Sequence, residues 1–409
     1  MTLTAEENER LTRVGKGTPM GELLRRYWYP ISVARELTAE NPVKFVRLLG
    51  EDLVLFRDKS GRVGLLADHC SHRGASLLYG RVEERGIACA YHGWLYDTAG
   101  HCLETPAEPP DSNLHLTIRH IAYPVKELVG LLWAYLGPLP APVIPRYDVW
   151  SRPDGVLRLA VYPRLDANWL QVMENTADPT HAQILHQEFV AGGRPVPSTT
   201  RGFVDRIAGL EYSEAPFGLV KLRRFANGRV ERHPLIFPNI LRESNVAQIR
   251  VPMDDTHTNF FFIHFIPLDD GPLNDGADPE APEDDEVLYI DPFKEPVEGI
   301  HPFTRFRLNS VLSQDHMAWE TQGLIANRTV ERLATSDQCV VMFREMLMRE
   351  IDKVQRGLDP IAVIRDPHHE IIDTYVGESI ESKGWYTPRQ YAQQETHRGA
   401  AARGDVRYD

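Results

Sequence analysis

The chain has 409 residues, 42% of them hydrophobic and 25% charged, with a formal net charge of −13 and a pI near 5.7. This is the balance of an ordinary globular protein of two or three domains. The acidic excess argues against nucleic acid as a main partner, which calls for a basic footprint, and no apolar run is long enough to cross a membrane.

The polar start "MTLTAEENERLTRVGKG" has no apolar signal core, so a cytoplasmic protein is expected. Residues 5–36 read as helical, broken by Gly15, Gly17 and Pro19 and ended by Pro30. From Val43 onward, short β-rich runs alternate with Gly-Glu-Asp and Lys-Ser-Gly turns, which predicts antiparallel strands as far as "GHCLETP". The proline-rich stretch 136–150 reads as a linker or an extended crossing segment. After it, "VLRLAVYPRLDA" predicts a strand and "NWLQVMENTA" a helix that breaks at Asp178-Pro179. Asp178 can cap the next segment and Pro179 suits its first turn. Strands are expected again over 200–268, closing on the core run "THTNFFFIHFIPL". The acidic Gly/Pro-rich stretch 269–287 reads as an exposed loop, 303–354 as mainly helical, and "HRGAAARGDVRYD" as a weakly ordered tail. The expected division is an N-terminal helical segment (1–40) that packs with the last domain, a β domain (41–150), and a larger domain (151–409).

Two constellations carry chemistry. In "CSHRGASLLYGRVEERGIACAYHGW", Cys70-x-His72 is followed by Cys89-x2-His92. Each loop offers one thiolate and one imidazole. Such a set suits either a closed zinc site or a Rieske 2Fe–2S cluster, where two Cys hold one iron and two His the other. Zinc fingers pair Cys with Cys and His with His; here each loop mixes them, as Rieske loops do. Cys102 and Cys339 read as free, buried thiols, since cytosolic disulfides are not expected. The second constellation is "DPTHAQILHQ". His181 and His186 are five apart, which points them away from each other on a regular helix and asks for a local distortion such as a π-type bulge. With one carboxylate they would make a facial triad that leaves iron positions open. Asp178 sits at the helix break and reads as a connector. Asp315, inside the apolar helix "VLSQDHMAWETQG", is the better ligand candidate, with Glu320 as its rival.

The first motif, followed by "NWLQVMENTADPTHAQILH", resembles the Rieske non-haem iron ring-hydroxylating oxygenases, and "SQDHMAWETQG" resembles the oxygenase (alpha) components of the phthalate dioxygenase type. The likeness runs from about residue 20 to about residue 350. It implies an α+β fold: an N-terminal antiparallel β Rieske domain, then a helix-grip catalytic domain in which a curved antiparallel sheet holds helices. It implies that Cys70, His72, Cys89 and His92 hold the cluster, that His181, His186 and Asp315 hold a mononuclear Fe(II), and that Asp178 links the two centres. It implies dioxygen as cosubstrate, a separate NAD(P)H-dependent flavin or iron–sulfur reductase as partner, and a homo-oligomer built on rings of three, sometimes stacked into hexamers. The activity implied is hydroxylation or dihydroxylation of an aromatic substrate, an aromatic carboxylate in many relatives, with aryl-ether O-demethylation as the alternative. An anionic substrate would need a cation, and Arg224 and Arg242 are the candidates. Two other classes remain to be separated from this reading. A Rieske electron carrier would leave everything after Pro145 unexplained, and a zinc-stapled binding protein would be colourless.

Overall fold

The computed structural model describes residues 2–151, 155–186, 188–191, 194–197, 207–243, 245–267, 287–296, 304–308 and 310–374. Residues 269–286 of the expected acidic loop and the expected weak tail, 397–409, lie outside the described residues. The chain divides into two compact units, Arg13–Ile144 and Met1–Thr12 with Pro145–Asp409. The boundary falls inside the proline-rich stretch. The expected 1–40 segment is divided differently: only Met1–Thr12 joins the larger unit, and residues 13–40 belong to the β unit.

The smaller unit is built from three antiparallel sheets, one of three strands and two of four. The expected second helix is short, Pro19–Leu24, and Trp28–Val33 is a strand rather than a helix. Its aromatic and β-branched residues favour a pleated, half-buried surface. Pro30 is tolerated because this is an edge strand whose register shifts between Pro30 and Ser32. The core of the unit includes Val54, Phe56, Leu66, Ile87, Trp94 and Tyr96, and it encloses Cys70, Cys89 and Cys102.

The larger unit is dominated by one eight-stranded sheet. In chain order its strands are β1 (Gly155–Leu165), β2 (Ile207–Ala215), β3 (Gly218–Phe225), β4 (Val230–Ile236), β5 (Ile240–Glu243), β6 (Val246–Pro252), β7 (Thr258–Pro267) and β8 (Leu288–Tyr289). The spatial order is β2-β3-β4-β5-β6-β7-β1-β8, antiparallel except for the β1–β8 pair. Among the described residues, besides the single turn Asp148–Ser151, its helices are α1 (Ala5–Thr12), α2 (Trp169–Ala177), α3 (His181–Leu185), α4 (Val311–Glu320) and α5 (Gln338–Gln355). The helical stretch expected over 303–354 is therefore two helices; Thr304–Phe306 is a strand paired with Lys294–Pro296, and irregular chain joins α4 to α5.

Local chemistry fixes these boundaries. Asn168 caps α2 by accepting a hydrogen bond from Leu170 N at 3.0 Å. Ser310 and Ser313 make reciprocal capping bonds at the start of α4. Helix α2 is buried on nearly every side and packs against β5, β6, α4 and α5. Between α2, α4 and the sheet lie Tyr162, Val172, Phe260, Phe262, Leu312 and Trp319. Glu174 of α2 is gripped by Arg328 at 2.7 Å and Arg344 at 2.6 Å. This buried network holds in place the helix from which the next loop departs.

Candidate metal centres

In the smaller unit the two mixed loops have the same backbone. Cys70 N donates to Ala75 O and Gly74 N to Cys70 O; Cys89 N donates to Trp94 O and Gly93 N to Cys89 O, all at 2.9 Å. Each loop closes on a glycine in the left-handed region, Gly74 at φ 74° and Gly93 at φ 75°. Cys70 and Cys89 are buried, whereas His72 is exposed and His92 half-buried. The His72 and His92 ring centroids are 4.5 Å apart, and His72 stacks on Trp94 at 4.4 Å. Burial pushes the Cys70 thiol up and nearby Cys89 adds to it, while burial and His72 lower the His92 imidazole. Sulfur on the inner side and nitrogen on the outer side is the donor order of a cluster whose two irons take different ligands.

No disulfide clamps the loops; all four cysteines are free and buried. Hydrogen bonds clamp them instead. His120 Nε2 donates to Ala67 O at 2.8 Å, which leaves Nδ1 to accept from Ser71 Oγ at 2.8 Å. Tyr96 OH lies 3.2 Å from Cys70 Sγ and is positioned to donate to it as a thiolate.

In the larger unit, α2 ends at Asp178. Asp178 Oδ1 accepts from Thr180 N at 2.7 Å and Thr180 Oγ1 at 2.6 Å, and Oδ2 faces His181 Nδ1 at 3.5 Å. Burial alone would raise this carboxyl, but the nearby His181 imidazole and the Thr180 bonds hold it at about 2. The five-residue spacing of the histidines needs no π-type bulge. Helix α3 simply stops at Leu185, and His186, at φ −102° and ψ 0°, turns back. The two rings stand 5.6 Å apart, nearly perpendicular. Asp315 comes from α4. Its Oδ1 lies 3.4 Å from His186 Nε2 and 3.8 Å from His181 Nε2, and all three ligand atoms lie within 4.8 Å of one another.

The protonation pattern suits a cation. Gln314 Nε2 donates to Leu308 O, so its Oε1 accepts from His186 Nδ1 at 2.8 Å. That bond turns Nε2 toward the Asp315 carboxylate, which overrides burial and raises the imidazole, so a proton or a metal cation has to stand between the two. Two lone-pair donors and a carboxylate converging in a buried space repel one another unless a cation joins them. Glu320, the rival ligand, is instead paired with Lys294 and accepts from Asp166 N at 3.3 Å.

The triad sits in a cavity of about 210 Å³. Its wall is the inward face of the sheet, read off by strand alternation: Lys221 and Arg223 from β3, Glu243 from β5, Gln248 and Arg250 from β6, Phe262 and His264 from β7. Arg223 donates to Glu231 at 2.7 Å and is thereby neutralised. Lys221 and Arg250 are buried, and among the described residues no carboxylate oxygen lies within 4.0 Å of either. Burial lowers Lys221 to about 8 and Arg250 to about 9. The arginines chosen from sequence are not in this wall. Arg224 points the other way on β3, exposed and bonded to Glu211 at 2.8 Å. Arg242 points behind β5 and donates to Asp148 at 2.9 Å. Lys221, Arg250 and Glu243 were missed; for the first two the signal was the period-two recurrence of polar side chains, Lys221/Arg223 in "VKLRRF" and Gln248/Arg250 in "VAQIRVP".

Comparison with known proteins follows the same division. The Rieske 2Fe–2S domain model matches residues 27–126, and the model described as LigXa C-terminal domain like matches residues 303–402. The chain is 38% identical to the 5,5'-dehydrodivanillate O-demethylase oxygenase subunit of a Sphingobium species, over 89% of this chain and 84% of that protein. It is 34% identical to the phthalate 4,5-dioxygenase oxygenase subunit of Pseudomonas putida, over 87% and 88%. It is 35% identical to the tert-butanol monooxygenase / tert-amyl alcohol desaturase oxygenase subunit of Aquincola tertiaricarbonis, over 88% and 79%. Among solved structures, the oxygenase in the ferredoxin complex of carbazole 1,9a-dioxygenase matches with a TM-score of 0.59 at 18% identity, covering 84% of this chain and 94% of that one. This last likeness concerns the fold. Among the described residues no helix is long and apolar enough to cross a membrane.

Proposed function

The chain belongs to the Rieske non-haem iron oxygenases, as an oxygenase component of the phthalate dioxygenase type, and from that premise we propose that it oxidises a single-ring aromatic carboxylate. Oxygenases of this family use a 2Fe–2S cluster, a mononuclear iron and dioxygen, with electrons from a reductase partner. In our reading Cys70, His72, Cys89 and His92 hold the cluster, and His181, His186 and Asp315 hold the iron. When bound, the iron supplies an open site for activating dioxygen beside the substrate.

The chain's own residues do the rest. Gln314 fixes the His186 tautomer through Nδ1. Asp178 orients His181 and carries the contact between centres. Phe262, Leu241 and Val246 give an apolar wall that excludes water from the substrate ring. The observation that carries the substrate reading is the pair of buried cations, Lys221 and Arg250, in a cavity with the triad and without carboxylate partners. A buried charge asks for a counter-ion, and an anionic substrate would supply it. A space of roughly 150 Å³ already admits benzene in an engineered cavity, so about 210 Å³ suits one substituted ring.

Hydroxylation and aryl-ether O-demethylation both fit such a cavity, and the O-demethylase relative keeps the second in view. We also place the protein in the cytoplasm, in keeping with its four free thiols, as a ring of three subunits. The test is turnover of benzoate and methoxybenzoates by holoenzyme with a reductase, NADH and dioxygen. Product from acids, with Arg250→Gln raising KM tenfold or more, supports the reading. Turnover of neutral rings alone overturns it.

A further inference from the structure

Glu243 is a carboxyl in the same cavity with no role in the reading above. It lines the space with Arg250, yet the two are not an ion pair. Gln248 stands between them: its Nε2 donates to Glu243 Oε2 at 3.2 Å, and its Oε1 accepts from Arg250 at 3.0 Å. Among the described residues no cation lies within 4.0 Å of Glu243. An amide that occupies both an acid and a base keeps each from neutralising the other. The cavity therefore presents a cationic and an anionic pole side by side. Burial raises the Glu243 carboxyl, and Glu231 and Asp315 push the same way against Arg223 and Lys221.

We propose that Arg250 and Glu243, spaced by Gln248, clamp a substrate carrying two groups: a carboxylate on Arg250 and a ring hydroxyl that donates to Glu243. The substrate class is then a hydroxylated aromatic acid. This rests on the aromatic-carboxylate reading and narrows it. An ammonium group is the poorer match for Glu243, because the unneutralised Lys221 and Arg250 line the same wall and repel a full positive charge. A phenol stays neutral at pH 7 and still donates. A site built to bond a hydroxyl rejects the analogue that lacks it, because its own buried group is left unpaired.

The experiment measures kcat/KM and dissociation constants of the holoenzyme for matched rings: benzoate, 3- and 4-hydroxybenzoate, 3- and 4-methoxybenzoate, and 4-methylphenol. The expected result is a preference of tenfold or more for a hydroxybenzoate over benzoate. In Glu243→Leu this ratio falls to near one. In Arg250→Gln all the acids weaken together and the ratio survives. Glu243→Gln, nearly isosteric, covers the case in which the Leu variant does not fold, and it should lose most of the preference while iron content is kept. A wild-type ratio near one among acids that do turn over sinks the clamp and leaves the carboxylate reading standing. So does a ratio that Glu243→Leu leaves intact. Turnover of 4-methylphenol but of no acid, or of nothing in the set, overturns both.

Discussion

At the scale of single residues, the triad differs sharply from its neighbours in how much each side chain is asked to do. Among the described residues Asp315 has no Lys or Arg within 4.0 Å, only the His186 and His181 imidazoles, and its carboxyl is held low against burial mainly by His186 and then His181. Glu320, one helical turn and a residue away, is already satisfied by Lys294. Asp315→Ala should therefore cost nearly all mononuclear iron and turnover while the red-brown cluster spectrum stays. Glu320→Ala should keep the iron, because what it breaks is a separate, partly buried ion network with Lys294 and Asp166. Metal analysis of the two purified variants decides; iron lost from Glu320→Ala and kept in Asp315→Ala would move the ligand.

At the scale of elements, legibility followed covalent spacing. The two matching loops stood out in the sequence because each is one short peptide with a Cys, a His and a closing Gly. Asp315 lies 129 residues beyond His186 in a different helix, and its place in an apolar helix singled it out without separating it from Glu320; the topology that joins α4 to α3 is not local. The cavity wall was hard to read for a simpler reason. Arg224 was chosen where Arg223 faces inward, and Arg242 where Glu243 does, and a one-residue error in a strand reverses the face. The loops also allow a graded test. Gly74 has open space where a Cβ would go, whereas a Cβ at Gly93 would meet Pro106 at 3.3 Å. Both substitutions by Ala incur the left-handed backbone cost of about 1–2 kcal/mol, but only Gly93→Ala must also displace Pro106. Gly93→Ala should lower Tm and cluster content more than Gly74→Ala. Equal losses would mean that the Pro106 contact yields freely.

At the scale of the whole molecule, the proposed ring makes a prediction that no single chain can meet. If the cluster of one subunit serves the iron of the next, a head-to-tail interface repeats around a closed ring. Asp178 then needs two kinds of partner: His181 of its own chain, which faces its Oδ2, and a ligand imidazole arriving from outside. Two inactive variants can be combined to test this. His92→Ala removes a cluster ligand and leaves the triad; Asp315→Ala does the reverse. Each alone should be inactive. Co-expressed with different tags, they assemble into mixed rings, and every mixed ring of three contains one junction where an intact cluster precedes an intact iron site. Random assembly in equal amounts makes three rings in four mixed, with one productive junction of three in each, so roughly a quarter of wild-type activity per subunit should return. Transfer confined within each chain returns none, because no chain then holds both centres. Isolating doubly tagged rings before assay separates a failure to mix from a failure to transfer, and inactive mixed rings would refute the arrangement.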